Sequence, residues 1–301
     1  MRNPFLVRVA AICLASAMAG AEPPQHYDST IGYFNDGTQM TRILDARLAF
    51  ELWIQEIAQN EKLHLAVNYY ETPEATLKAF EAHAFDLFSI NPWFYLREHR
   101  TVEPYSKAFW KIQIADTPYE EMLVVVRADS GIEGAGQLRG KRVATRENNY
   151  LGRLFFDRWM LESVRHGYAG YVLEMAETER YNTALLKTYF KNVEACILPA
   201  YAFEVAKEMN PSLSGSLKVI ARSPQIFPPM IIVAHREMPD AMIAIYEHNA
   251  MNLDKTQRGR QILELYKFRR IMPMPVGEMK RLQSYYDEYC ALKAKYGETH
   301  E

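Results

Sequence analysis

The chain has 301 residues, of which 49% are hydrophobic and 24% charged, with a formal net charge of −2. These values are typical of a folded globular protein and exclude a disordered or collagen-like chain. Because 35 lysines and arginines face 37 aspartates and glutamates, no basic surplus is available to neutralise a phosphate backbone, and we expect no nucleic-acid partner. The length allows two domains of about 100–150 residues each.

Residues 1–21 have the three parts of a secretory signal peptide. Two arginines precede an apolar run at 9–18, which is too short to span a bilayer, and the small residues that end at Ala21 fit a signal-peptidase site. The alternative is a buried helix at the start of a cytosolic domain. We expect export to the periplasm with cleavage after Ala21.

Two cysteines, Cys196 and Cys290, remain in the mature chain, and no CxxC or Cys/His spacing is present. In an oxidising compartment the two could pair. Because they fall in different predicted domains, we expect free, buried thiols.

The first part of the mature chain alternates predicted strands and helices. The apolar patterns predict strands at 29–34, 63–70 and 85–90, with an amphipathic helix between the first two. A second helix begins after Thr72, which fits an N-cap followed by proline at the first helical position. This alternation is typical of a parallel α/β sheet.

A second α/β set follows after a further helix that ends near residue 100. Its predicted strands lie at 105–114, 121–127, 141–145, 172–175 and 193–198, and its helices at 150–166, 180–190 and 199–209. The chain is completed by strands at 217–220 and 230–234 and by helices at 238–251, 255–266 and 276–294. Two such sets predict two lobes with a cleft between them.

Ligands of open α/β sheets bind beyond the carboxyl ends of strands, where loops and helix N-termini present free backbone N–H groups. Four loops follow predicted strands, and their aromatic and amide side chains are candidate ligand contacts. These candidates are Phe34, Asn35, Asn91, Trp93, Tyr95, Asn149, Tyr150 and Tyr201. Aromatic rings would stack on an organic ligand and amides would donate directional hydrogen bonds. The alternatives are internal packing for the aromatic residues and turn formation for the asparagines.

Four segments, taken together and in chain order, resemble the periplasmic phosphonate/phosphate-type substrate-binding proteins of ABC transporters. They are 85–93 (FDLFSINPW), 138–144 (LRGKRVA), the crossover at 217–229, and 257–263 (QRGRQIL). The resemblance implies a type II periplasmic-binding fold of the α/β class, in which two α/β sheets are joined by a two-segment hinge. It places lobe 1 at 22–120 and 221–301 and lobe 2 at 121–220.

The resemblance also implies that the two lobes close around a small anion or organic acid, and that the closed form delivers it to the membrane permease of an ABC transporter. We expect a monomer. The alternative is a sensory or adaptor protein of the same fold that acts with a membrane receptor.

Several positions depart from the family pattern. Asn149, Tyr150 and Leu151 stand where the family has three hydroxyl residues at a helix N-terminus, in a stretch that opens with Arg146. Arg180 stands where the family has a histidine, and its guanidinium could bind an oxyanion. The alternative for Arg180 is an exposed arginine at a helix start. Because neither acidic residue used for an amino substituent is matched, an aminoalkyl phosphonate is disfavoured.

Enzymatic motifs are missing from the sequence. It contains no GxSxG, HExxH or Walker pattern, and none of its eight histidines lies three or four residues from another. We therefore predict no catalytic residues, no metal site and no cofactor, and expect a binding protein that is not an enzyme. A secreted enzyme on this fold is the remaining alternative.

Overall fold

A computed structural model describes residues 28–34, 43–114 and 116–297. The predicted signal peptide and Asn35 lie outside the described residues. The strands are β1 (Ser29–Phe34), β2 (Leu65–Tyr70), β3 (Leu87–Ile90), β4 (Ser106–Gln113), β5 (Met122–Arg127), β6 (Arg142–Arg146), β7 (Glu174–Thr178), β8 (Ala195–Pro199), β9 (Leu217–Arg222), β10 (Ile231–His235) and β11 (Arg270–Pro273). The helices are α1 (Ile43–Glu61), α2 (Pro73–Glu81), α3 (Pro92–Val102), α4 (Tyr150–Val164), α5 (Tyr181–Tyr189), α6 (Ala200–Met209), α7 (Ser212–Ser216), α8 (Asp240–Met251), α9 (Gln257–Tyr266) and α10 (Val276–Tyr296).

These elements form two sheets, so the predicted two-lobed α/β fold is confirmed. The first sheet has the order β11-β4-β10-β3-β1-β2, and the second has the order β7-β6-β8-β5-β9. We call the first sheet with helices α1–α3 and α8–α10 lobe 1. The second sheet with helices α4–α7 is lobe 2. In lobe 1, β1 pairs in parallel with β2 and β3, and in lobe 2, β6 pairs in parallel with β7 and β8. The other pairings, β10 with β3 and β4, β11 with β4, and β5 with β8 and β9, are antiparallel.

Two chain segments cross between the lobes side by side. The backbone N–H of Glu120 donates to the carbonyl of Phe227 over 2.7 Å. The next strand starts at Met122, whose N–H donates to the Ser223 hydroxyl over 2.8 Å. The two crossing segments are therefore hydrogen-bonded to each other where they leave lobe 1.

The hydrophobic core on one side of the molecule is continuous between the lobes. Side chains of α2, α3 and α10 in lobe 1 pack in one cluster with side chains of α4 and β5 in lobe 2. A separate cluster lies under α1, α8 and α9 in lobe 1, and another under α5 and α6 in lobe 2. Each sheet is thus covered by helices on both faces, as expected for this fold class.

Strands β7 and β11 and the short helix α7 differ most from the sequence prediction. Strand β7 is Glu174–Thr178 instead of 172–175. It is an edge strand with few apolar residues, whereas the buried Val172 lies in a turn, with its N–H bonded to the Tyr168 carbonyl. Strand β11 was not predicted, because four residues that end in proline carry almost no periodic pattern.

Neither cysteine forms a disulfide. Cys196 is buried on β8, where burial raises the pKa of its thiol to about 12, and Cys290 is exposed on α10 instead of buried as expected. None of the helices in the described part of the chain combines the length and the apolar character needed to cross a membrane.

Candidate functional site

A cavity of about 130 Å³ lies between the two lobes, beyond the carboxyl ends of their parallel strands. Its walls come from both lobes and from a crossing segment. They are formed by Asn91, Pro92, Trp93, Ile114, Pro229, Met230, Tyr266, Lys267 and Phe268 of lobe 1, by Met122, Arg146, Asn148, Asn149, Tyr150, Leu151, Tyr181 and Tyr201 of lobe 2, and by Glu120. We call this cavity the cleft.

Four helices begin at the cleft. The first residues of α3, α4 and α5 and the second residue of α6, Tyr201, lie in its wall. Each helix N-terminus carries unpaired backbone N–H groups and a partial positive charge of roughly half a unit. Such ends are suited to an anion, and here two lobes contribute them to a single site.

The N-terminus of α4 is capped by its own loop. The Asn149 side chain accepts from the Gly152 N–H over 3.1 Å and donates to the Thr145 hydroxyl over 2.9 Å. A Cβ on Gly152 would lie 2.2 Å from the Asn149 side-chain nitrogen, so only glycine fits there. Asn149 is 4% exposed. Its amide therefore holds the loop at the start of α4 in shape.

A polar cluster from lobe 2 and the crossing segment faces the cleft. Arg146 lies near the Tyr181 ring, with its guanidinium carbon 5.7 Å from the ring centroid. Burial raises the pKa of Tyr181 and of Tyr201, so both phenols remain protonated and can donate hydrogen bonds. Arg146 and two phenol groups thus provide donors to one small volume.

Glu120 adds a carboxyl group to this cluster. Burial raises the pKa of Glu120 to about 7, although the nearby Arg146 acts in the opposite direction. At neutral pH this carboxyl group is therefore partly protonated, and its charge is sensitive to pH and to a bound ligand.

Two aromatic rings meet across the cleft. The ring centroids of Trp93 in lobe 1 and Tyr150 in lobe 2 lie 6.0 Å apart, with an angle of 13° between the rings. Trp93 also contacts Tyr286 of α10 edge-on, at 6.1 Å between centroids. Tyr150 is 38% exposed, so this pair forms part of the rim of the cleft.

Six of the ten residues predicted for the site line the cleft. They are Asn91, Trp93, Arg146, Asn149, Tyr150 and Tyr201. Asn91 also caps α3 by accepting from the Phe94 N–H over 2.7 Å.

The remaining four lie elsewhere. Phe34 lines a second cavity, inside lobe 1. Tyr95 is fully buried, and its hydroxyl accepts from Gln283 over 2.8 Å. Arg180 is exposed at the residue before α5, and Asn35 is outside the described residues.

The sequence reasoning missed Glu120, Tyr181 and Lys267. Glu120 lies in a crossing segment without periodic pattern, so no signal marked it. Tyr181 follows β7 as the first residue of α5. The sequence prediction ended this strand at residue 175 instead of Thr178, so Tyr181 did not count among the residues that follow a strand. Lys267 follows a helix instead of a strand, and its left-handed backbone, with a φ of 59°, has no sequence signal.

The described residues do not form a metal centre at the cleft. Within residues 28–34, 43–114 and 116–297, no three His, Cys, Asp or Glu side chains are grouped so that they could hold an ion.

Comparisons with known proteins agree with this architecture. A family model described as "ABC transporter, phosphonate, periplasmic substrate-binding protein" matches residues 45–275. No curated protein matches the sequence.

Solved structures share the fold at low sequence identity. The binding protein component of an ABC phosphonate transporter from Pseudomonas aeruginosa is 12% identical, with a TM-score of 0.58 over 88% of this chain and 89% of that one. PhnD1 from Prochlorococcus marinus, in complex with methylphosphonate, is 14% identical, with a TM-score of 0.59 over 86% and 97%. The periplasmic aliphatic sulphonate binding protein SsuA from Escherichia coli is 13% identical, with a TM-score of 0.52 over 88% and 87%.

The likeness to these structures supports the two-lobed binding-protein fold, and the match of the family model extends over most of the chain. The resemblance inferred from four short segments is thereby confirmed. The chain belongs to the phosphonate family of periplasmic substrate-binding proteins of ABC transporters.

Proposed function

We propose that this protein binds a small anion or organic acid in the periplasm, encloses it between its two lobes and delivers it to an ABC permease. The observation that carries the proposal is the convergence of four helix N-termini and Arg146 on one cleft. These groups supply positive potential and N–H donors from both lobes, so an anion bound there would favour the closed arrangement.

The size and lining of the cleft define the ligand further. About 130 Å³ is close to the roughly 150 Å³ of an apolar cavity that binds benzene, so the part of the ligand held here has only a few heavy atoms. Its acidic group faces Arg146 and the helix N-termini. A hydrogen-bonding group on the ligand would face Glu120, whose carboxyl group can donate a hydrogen bond when it is protonated.

The division of the chain is part of the proposal. We propose residues 22–120 and 221–301 as lobe 1 and 121–220 as lobe 2, with residues 1–21 removed after Ala21 and the mature protein acting as a monomer. The sheets support this division to within two residues, since the lobe 2 strands run from Met122 to Arg222.

Titration calorimetry with small anions tests ligand binding. Because solved relatives are described with methylphosphonate and as aliphatic sulphonate binding, the probes are methylphosphonate, phosphate, methanesulfonate and acetate. At a hundredfold excess over its Kd, a true ligand stabilises the folded protein by about 2.7 kcal/mol, which a thermal shift assay detects. If none of the four binds, the proposal of a small-anion ligand is wrong.

The variant Arg146→Met tests the role of the guanidinium. A hydrogen bond to a charged group contributes about 1.5–3 kcal/mol, so we expect affinity for the bound anion to fall by about ten- to a hundredfold. Arg142→Met is the matched control, because Arg142 lies four residues earlier on the same strand and pairs with Glu194. Equal affinities of the two variants would remove Arg146 from the site.

Delivery to a permease requires a separate measurement. We expect cells that lack the protein to lose uptake of the labelled ligand, and cells with Arg146→Met to lose it in proportion to affinity. Unchanged uptake, together with binding in the purified protein, would favour the alternative role of ligand sensor for a membrane receptor.

A further inference from the structure

A second cavity, of about 70 Å³, lies inside lobe 1 between the sheet and helices α1 and α9. Its walls are apolar and aromatic side chains from both the sheet and the helices, including Ile54, Ile232 and Leu253. The polar groups of its lining side chains are hydroxyls and the indole N–H of Trp53, and none of the described residues in its wall is charged. A cavity of this kind stays dry and accepts apolar molecules.

This apolar cavity shares a wall with the cleft. Met230, Tyr266 and Phe268 line both. The Tyr266 and Phe268 rings are stacked, with centroids 5.4 Å apart and an angle of 20°. Met230 is unbranched and flexible, so it can adjust its side chain more easily than its neighbours. The wall is therefore a layer of one methionine and two rings that ends at the exposed Lys267.

An empty apolar cavity destabilises a core, because its lining side chains lose contacts on one side. A hydrocarbon chain that entered from the cleft would restore those contacts. About 70 Å³ is roughly half of the 150 Å³ cavity that holds benzene, so it accommodates about three carbons.

We propose that this cavity receives the tail of the ligand: the anionic group lies in the cleft, and an unbranched hydrocarbon chain passes between Met230 and Phe268 into lobe 1. The preferred ligand is then an amphiphilic anion with a short alkyl chain. This inference rests on the proposed function, since it takes the anionic group to be bound at Arg146 and the helix N-termini.

A chain-length series tests the inference. Calorimetry compares methyl, propyl, pentyl and octyl homologues of phosphonate, sulfonate and carboxylate, because the acidic group is not identified. Each methylene that enters the cavity should tighten binding by about fourfold, and three of them by about sixtyfold. The increase in affinity should stop before the octyl homologue, because a shorter chain already fills the cavity.

A substitution that fills the cavity tests the same inference. Ile232 is buried on β10 and lines this cavity but not the cleft. In Ile232→Phe we expect the methyl homologue to bind with the affinity of the native protein. The increase in affinity with chain length should disappear. Leu77→Phe is the control, since Leu77 is buried on α2 and lines neither cavity; it should keep the gain.

A crystal structure of the pentyl complex gives a second measurement that does not depend on the variant. The terminal carbons should contact Ile54 and Leu253, and a chain that stays in the cleft or reaches solvent would overturn the inference. If the methyl homologue binds and longer ones bind no tighter, the inference fails and the proposed function stands. If no homologue with any acidic group binds, both fail.

Discussion

The carboxyl group of Glu120 shares the cleft with the guanidinium of Arg146 and with four helix N-termini. An ionised carboxylate there would repel an anionic ligand, whereas a protonated one would donate a hydrogen bond to it. Because burial raises the pKa of Glu120 to about 7, the two forms are populated almost equally at neutral pH. A bound anion favours the protonated form, and proton uptake should accompany binding.

We therefore expect anion affinity to fall as the pH rises through about 7. Between about pH 6 and about pH 8 the protonated fraction drops from about nine-tenths to one-tenth, so affinity should fall by about tenfold. Methanesulfonate is a suitable probe, because its own charge is constant in this range. Calorimetry in two buffers of different ionisation enthalpy would also measure the proton uptake.

Glu120→Gln is the control for this pH dependence. Its amide is neutral throughout, so affinity should be nearly independent of pH. If the variant keeps the tenfold change, another group is responsible. If the native protein binds more tightly as the pH rises, Glu120 acts on a cationic part of the ligand.

At the scale of single residues, the sequence predicted those site positions that follow a strand directly. Trp93, Tyr150 and Tyr201 each lie just after a strand end, and the chain direction alone places them at the edge of a sheet. Tyr95 follows the same rule but is turned inward by α3, towards Gln283 of a helix almost 190 residues away in the chain. Glu120 depends on how two crossing segments pair, which no local pattern encodes.

At the scale of elements, α10 connects the two lobes in addition to the crossing segments. Near its start, Glu278 accepts from Lys111 of lobe 1 over 2.5 Å. Near its end, the Asp157 carboxylate of lobe 2 accepts from Tyr289 over 2.9 Å and from Lys293 over 2.5 Å. Arg158 also binds Glu288, over 2.6 Å. One helix is thus fixed to both lobes by charged hydrogen bonds.

Asp157→Ala should weaken this connection. Asp157 is 1% exposed and also accepts from the Tyr168 N–H, so its loss leaves donors unpaired. We expect the free energy of unfolding to fall by about 2–4 kcal/mol, measured by urea denaturation. Asp240→Ala removes an exposed partner of Lys107 whose charge is screened by solvent, and it should leave the free energy of unfolding nearly unchanged. Similar losses in the two variants would mean that α10 is not held by Asp157.

The elements themselves were mostly predictable, because their local signals agree with the fold. Thr72 before Pro73 marks the start of α2, and its hydroxyl accepts from the Ala75 N–H as an N-cap should. The contact of α10 with lobe 2 was not predictable. Its residues have an ordinary helical pattern, and only the folded arrangement brings Lys293 to Asp157.

At the scale of the whole molecule, the Trp93–Tyr150 pair is a contact between the lobes at the rim of the cleft, and it must separate when the cleft opens. The two rings come from different lobes and lie nearly parallel at the rim of the cleft. An aromatic pair contributes about 0.5–1.5 kcal/mol beyond the area that it buries. The pair therefore favours the closed arrangement by a factor of about two to ten, whether or not a ligand is present.

Tyr150→Ala should thus speed ligand release by about two- to tenfold. Release is measured by stopped-flow fluorescence, with Trp93 as the reporter, and small-angle scattering should show a larger radius of gyration for the free variant, because the lobes spend more time apart. Tyr189→Ala is the control, since Tyr189 contacts Phe190 within lobe 2 and lies away from the cleft; its release rate should equal that of the native protein. Unchanged release in Tyr150→Ala would mean that the crossing segments and α10 set the closed arrangement without this pair.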